Sequence, residues 1–156
     1  MEEKGPLKVG TKAIDFVLDD QNEKPFELSK FKGKKVILSF HPLAWTPVCA
    51  KQMQSLEKHK KNFDKNNTIA VGISVDSAPS KKAWAKHLKI KSSRLLSDFW
   101  PHGKVAQEYG IFRKDEGISE RANIIVDEKQ NILFVKIYPI SQLPDIMEII
   151  NFLEKQ

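Results

Sequence analysis

"HPLAWTPVCA", residues 41–50, holds the one cysteine of a 156-residue chain, three residues after a threonine. Its order dictates a local structure. Thr46 suits a helix N-cap, Pro47 suits N1, where a missing N–H costs nothing, and Cys49 then falls at N3. Just upstream, "KVILSF" at 35–40 is a short apolar run of the buried-strand kind. A strand that runs straight into a capped helix is the first half of a βαβ unit, and "TIAVGISVD" at 68–76 supplies the second strand. Between them Val48, Met53, Leu56 and Phe63 recur at helical spacing, with "EKHKK" turned outward. Such units close as right-handed crossovers between parallel strands.

The alternation continues in both directions. "PSKKAWAKHL", Pro79 to Leu88, reads as a helix with Ala83, Trp84 and Leu88 facing inward, and "RLLSD" as a short strand. "GKVAQEYGI" is a brief helix stopped by Gly110, and "ANIIVDEKQNILFVKIY" a hairpin turning at 127–131. Pro144 begins a last helix whose Ile146, Ile149, Ile150 and Leu153 cover a sheet face, and "FVLDDQNEKPFEL" reads as an added hairpin near the start. The class is α/β. With 40% hydrophobic and 29% charged residues and no repeat or linker, residues 1–156 are expected to form one domain.

Composition narrows the function. A net charge of +6 could serve nucleic acid, but the lysines are scattered among acids and apolar residues with no aromatic-rich signature beside them. A solvated basic surface is the reading, with no nucleic-acid partner. The start, "MEEKGPLKVG", is charged, and no apolar run approaches the ~20 residues that span a bilayer, so no membrane partner is expected. A lone cysteine makes no internal disulfide, which fits a cytoplasmic location. Arg94, Arg113 and Arg121 are the only arginines among 26 basic residues. Each is therefore weighed for the planar five-donor fork that an ammonium lacks.

A sulfur in the first turn of a helix faces unpaired N–H groups and the positive end of the dipole, which favour its anion. The plain alternative is a small buried hydrophobe. Dithiol exchange within the chain is excluded, because Ala50, Lys51 and Gln52 follow Cys49 with no second sulfur. His41, His59, His87 and His102 are dispersed without ligand spacing, so neither a metal nor another cofactor is expected. A cysteine protease would need a histidine base drawn from those scattered positions.

"PLAWTPVC" resembles the peroxiredoxin signature, with Pro42, Thr46 and Cys49 at its proline, threonine and cysteine positions. The likeness extends through "VGISVDS", "LLSDFWPHGKVAQEYGIF" and "GISERANIIVDE", where the family arginine falls on Arg121. "PLAWT" and "LSDFWPHG" look most like the alkyl hydroperoxide reductase E group, whose members often work with one cysteine. The resemblance implies a thioredoxin fold with an N-terminal β-hairpin extension, a three-layer α/β/α sandwich. It implies a thiol peroxidase acting on hydrogen peroxide or organic hydroperoxides through a sulfenic acid on Cys49. An external thiol would recycle it: a low-molecular-weight thiol, a glutaredoxin or a thioredoxin. Homodimers are implied as well, with Trp45, Trp84, Phe99 or Trp100 as interface aromatics. The competing reading is a catalytically inert thioredoxin-fold binding or holdase protein.

Each site residue has two readings. Arg121 would hold the thiolate and the peroxide oxygens, or pair at the surface with Glu116 or Glu120. Thr46 would orient substrate or only cap the helix. Pro42 would shape the loop and shield the sulfur, or be an ordinary turn proline. Two positions depart from the family pattern. His41 stands where many relatives have an aromatic residue, and is expected as a partly exposed strand-end histidine rather than a titrating group of the site. Gln52 replaces a glutamate and cannot supply its charge, though it can still hydrogen-bond. Trp45 replaces a phenylalanine and is expected as a larger apolar wall.

Overall fold

The structure is a computed structural model that describes residues 5–156. The charged start, Met1–Lys4, lies outside the described residues. A hairpin of β1 (Val17–Asp19) and β2 (Pro25–Glu27) leads into β3 (Lys35–Phe40). After β3 come α1 (Pro47–Lys58), α2 (Lys60–Lys65), β4 (Thr68–Ser74), α3 (Ala78–Leu88) and β5 (Arg94–Ser97). Then follow α4 (Lys104–Glu108), a two-residue hairpin of β6 (Phe112–Arg113) and β7 (Ile118–Ser119), β8 (Arg121–Val126), β9 (Ile132–Tyr138) and α5 (Ile146–Glu154). The main sheet has the order β5-β4-β3-β8-β9. β3, β4 and β5 run parallel, joined by helical crossovers, while β8 and β9 return antiparallel. This is the thioredoxin-like α/β arrangement with its N-terminal hairpin.

β3 is buried on both faces, which is why its sequence is a continuous apolar run rather than an alternating one. Val36, Leu38 and Phe40 join one cluster with Phe26, Leu28 and Tyr109, under the hairpin and α4. Ile37 joins the other with Met53, Phe63, Trp84 and Ile149, under α1, α2, α3 and α5. Period-2 geometry puts Ser39 on that second face, as its bond to Gln52 of α1 requires.

Four local readings change. The helix after Cys49 is divided at His59 into α1 and α2, and Val48 is only half-buried while Cys49, Gln52 and Met53 face inward. In α3, Ala83 is exposed; Lys81, Trp84 and Ala85 are the buried residues, at i, i+3 and i+4. The last helix starts after Pro144, because the Asp145 side chain caps it by accepting from Met147 N–H at 3.0 Å. The short β6–β7 hairpin has no reading in the sequence. It is too brief for periodicity to register.

Candidate active site

The chain leaves β3 at Phe40 and enters α1 at Pro47, so residues 41–46 form a loop at the carboxyl end of the central strand. Three side-chain bonds hold its 43–46 stretch. Ala44 N–H donates to Asp76 Oδ2 at 2.8 Å, the Trp45 indole N–H donates to Ser80 Oγ at 3.1 Å, and Thr46 Oγ1 donates to Leu43 O at 2.7 Å. Trp45 sits at φ +70°, a conformation that a bulky residue seldom adopts unless neighbours hold it. Its indole stands 5.5 Å from the His87 ring and is half exposed, so it is a clasp between loop and α3 rather than an apolar wall. Thr46 occupies the N-cap position with extended backbone, but its side chain makes no cap bond. The hydroxyl proton is committed to Leu43 O, which closes the loop instead.

Pro47 takes the first turn of α1, and Cys49 follows within that turn, fully buried. Arg121, the first residue of β8, reaches it across the sheet. Its Nη1 donates to Cys49 Sγ at 3.2 Å and to Gln52 Oε1 at 2.8 Å, and its Nε donates to Ile140 O at 2.9 Å. Arg121 is 3% exposed. The surface ion pair is therefore not formed; Arg113 takes both acids, Glu116 at 2.7 Å and Glu120 at 3.5 Å. Pro42 is buried in the same loop. The four residues singled out in the sequence thus fall on one loop, one helix turn and one strand end.

The same segment carries the family comparison. Residues 9–135 match the AhpC/TSA family. The chain belongs to the AhpC/TSA peroxiredoxin family. It is 40% identical over 131 residues to alkyl hydroperoxide reductase E of Mycobacterium tuberculosis, covering 83% of this chain and 85% of that protein. Among solved structures, peroxidoxin BcpB of Mycobacterium tuberculosis superposes with a TM-score of 0.83 at 27% identity, over 96% of this chain and 97% of that one. The reduced 2-Cys peroxiredoxin of Plasmodium vivax gives 0.86 at 26% identity, over 96% and 81%.

Within this peroxiredoxin the two departures are structural parts of the site. Gln52 is buried, and its amide bridges sheet and arginine: Nε2 donates to Ser39 Oγ at 2.8 Å and to Phe40 O at 3.1 Å, while Oε1 takes the Arg121 proton. It aims the guanidinium without neutralising it. His41, expected to be partly exposed, is fully buried. It packs against β4 where a Cβ on Gly72 would collide with Met53 Sδ and crowd His41 Cε1, so only glycine leaves room there. Its Nδ1 lies 3.3 Å from Ser39 O, its Nε2 3.0 Å from Lys81 Nζ, and its ring 5.5 Å from that of Trp84. Burial, with Lys81 and then Arg121 nearby, holds its pKa well below the usual 6.5 against the pull of the Ser39 carbonyl. That environment favours the neutral imidazole.

Sequence reasoning missed Ser39 and Lys81. Ser39 had a signal: it is the one hydroxyl in an otherwise apolar strand run. Lys81 had none, since it stands in "SKKAWAK" among lysines that the structure leaves at the surface. No group of three or more metal-ligating side chains occurs among the described residues.

Proposed function

We propose that Cys49 is the peroxide-reacting sulfur of this peroxiredoxin, with Arg121, Thr46 and Pro42 shaping its surroundings. The observation that carries the reading is the buried guanidinium 3.2 Å from the sulfur. The activity is thiol-dependent reduction of a peroxide. The thiolate attacks one oxygen, the S–O bond forms as the O–O bond breaks, and the departing oxygen takes the electron pair and then a proton. Negative charge moves from sulfur to that oxygen. A guanidinium already held by Gln52 and Ile140 is positioned to follow it, with no reorganisation at the moment of reaction.

Thr46 has spent its proton on Leu43 O, so toward a peroxide its oxygen can only accept, and it would fix the O–H of the substrate. Pro42 offers no N–H and is buried, which keeps the loop free of a donor that would compete for the sulfur. The products are Cys49 sulfenic acid and water, or an alcohol when the substrate is an organic hydroperoxide. Two thiol equivalents then return the sulfenic acid to thiol, releasing water and a disulfide between the reductants. The chain has no second cysteine, so the reductant is external: a low-molecular-weight thiol, a glutaredoxin or a thioredoxin. Because Cys49 is fully buried, the first turn of α1 must open for that thiol to reach it.

A cytoplasmic setting, where such thiols are kept reduced, fits this cycle. No helix of the described residues is long and apolar enough to cross a membrane. The homodimer reading keeps Trp45, Phe99 and Trp100 as interface candidates, since all three are at least half exposed. Trp84 leaves that set because it is 1% exposed and packs in the core.

Stopped-flow mixing with hydrogen peroxide tests the reading. The expected result is loss of one thiol per chain with a tryptophan fluorescence change, and no turnover in Cys49→Ser, whose hydroxyl is not an anion at neutral pH. A Cys49→Ser variant that turns over near the wild-type rate overturns the assignment. A wild-type thiol inert to peroxide would favour the binding or holdase protein.

A further inference from the structure

Lys81 is a buried charge that the reaction outlined above does not use. All other lysines among the described residues keep some exposure, whereas Lys81 is 0% exposed. It stands on the face of α3 that carries Trp84 and Ala85 into the core, a place where a methionine or leucine would pack with no desolvation cost. An ammonium kept there needs partners.

Its hydrogen-bond partner is uncharged. The Ser39 carbonyl can only accept, so His41 carries its proton on Nδ1, and Nε2 is left to accept from Lys81 Nζ at 3.0 Å. From Ser39 the chain of contacts continues through Gln52 and Arg121 to the sulfur. Lys81 itself makes no ion pair and no hydrogen bond to Cys49 among the described residues, and its ammonium lies 5.5 Å from the Trp84 ring centroid.

The titratable and charged groups around Lys81 and its partner come from four elements. They are His41 after β3, Asp76 after β4, Cys49 on α1 and, beyond His41, Arg121 on β8. Asp76 already accepts from Ala44 N–H and Ser74 O–H through its Oδ2. Gln52 brings no charge. Two buried cations, Lys81 and Arg121, therefore share the interior with the fully buried Cys49 sulfur: Arg121 touches it, and Lys81 is joined to Arg121 through His41, Ser39 and Gln52, while the half-buried Asp76 supplies the other negative charge toward Lys81.

We propose that Lys81 is a positioning residue for peroxide reduction: a second buried cation that holds Cys49 in its thiolate form through space, anchored by His41 without touching sulfur or substrate. This rests on Cys49 being the reacting sulfur. Burial pushes the Lys81 pKa down to about 7, with Asp76 and Cys49 pulling the other way. By linkage, whatever stabilisation the ammonium gives the thiolate is returned to the ammonium in equal amount.

The test compares Lys81→Met with Lys81→Gln, of which the second keeps a donor to His41 and neither keeps the charge. Thiolate absorbance against pH should show the midpoint displaced upward by about one unit or more in both variants, a tenfold change in the thiol–thiolate ratio. Their peroxide rates should fall about tenfold at pH 6 and converge on wild type at alkaline pH, where thiolate formation is complete. Unchanged midpoints overturn the proposal, and so does a Lys81→Gln variant that titrates like wild type while Lys81→Met does not, because that pattern means a hydrogen bond and no charge effect. If neither variant folds, lysine labelled with 13C at Cε decides the matter in the unaltered lysine. Replacing the thiolate in Cys49→Ser should lower the Lys81 midpoint by the same amount, and a lysine that does not move overturns the idea. A Cys49→Ser variant that still reduces peroxide overturns the assignment of the sulfur instead, and the midpoints separate that failure from this one.

Discussion

Replacing Arg121 removes three bonds at once, and their geometry sets the size of each loss. Arg121→Met leaves Gln52 Oε1 and Ile140 O without their donor, in a place where the arginine is 3% exposed. An unsatisfied buried acceptor costs about 1–3 kcal/mol, so the variant should lose roughly 2–6 kcal/mol of stability. A domain with the usual 5–15 kcal/mol in hand stays folded at 25 °C in most of that range, with a lower midpoint in urea. Arg121→Lys keeps the charge but one ammonium cannot reach both Ile140 O and the Gln52–Cys49 pair, because the planar fork that spans them is gone. For the reaction, losing one donor aimed at developing charge costs about 10²-fold or more in rate, about 3 kcal/mol. The lysine variant should therefore be slowed about 10²-fold and the methionine variant further. The midpoint of thiolate formation should rise more in methionine than in lysine, since only methionine removes the cation. Stopped-flow peroxide kinetics, corrected for thiolate fraction by absorbance, separates the two effects. The reasoning is refuted if Arg121→Met, shown to be folded by circular dichroism, reacts within twofold of wild type at equal thiolate fraction.

Glu57 on α1 receives the backbone N–H groups of Lys91, Ser92 and Ser93 together with the Ser92 and Ser93 hydroxyls. Partial burial pushes its pKa up, yet these donors, Lys91 N–H foremost, hold it at about 2 against an ordinary 4.5. A depressed carboxylate stabilises fully above pH 4.5 and loses that contribution as pH falls toward 2. Glu57→Gln should lose about 1 kcal/mol at pH 7, as for a lost helix cap, and little at pH 2–3; urea titrations at pH 7, 4.5 and 3 that show the same gap throughout contradict this. For association, sedimentation velocity should give a dimer of the 17.9 kDa chain, and Trp100→Glu, at an 81% exposed position, should weaken it without unfolding the protein. A wild-type monomer at every concentration contradicts the dimer.

The sequence by itself determined most of the elements and the placement of the sulfur. A strand apolar on both faces, Thr46 and Pro47 at a helix start, and a hairpin turning at 127–131 are local patterns. Propensity, capping and periodicity act over a few residues, and the observed β3, α1 and β8–β9 follow from them. Arg121 was legible only as a residue type in a family pattern, because nothing local tells a buried arginine from one paired with Glu116. What the tertiary structure decided is which groups meet across 70 residues of chain and which way each proton points. Thr46 gave its hydroxyl proton to Leu43 O instead of capping α1, since the loop closes before the helix begins. Gln52 replaced a charge with a two-sided amide bridge, because Ser39 and Arg121 come from strands that pair only in the folded sheet. Lys81 and His41, ordinary polar residues in the text of the chain, became a buried pair. Helical periodicity fixes the face of α3 that turns inward, but the energy of an ammonium on that face depends on the partner after β3 and the counter-charges after β4 and on α1 that the fold brings to it.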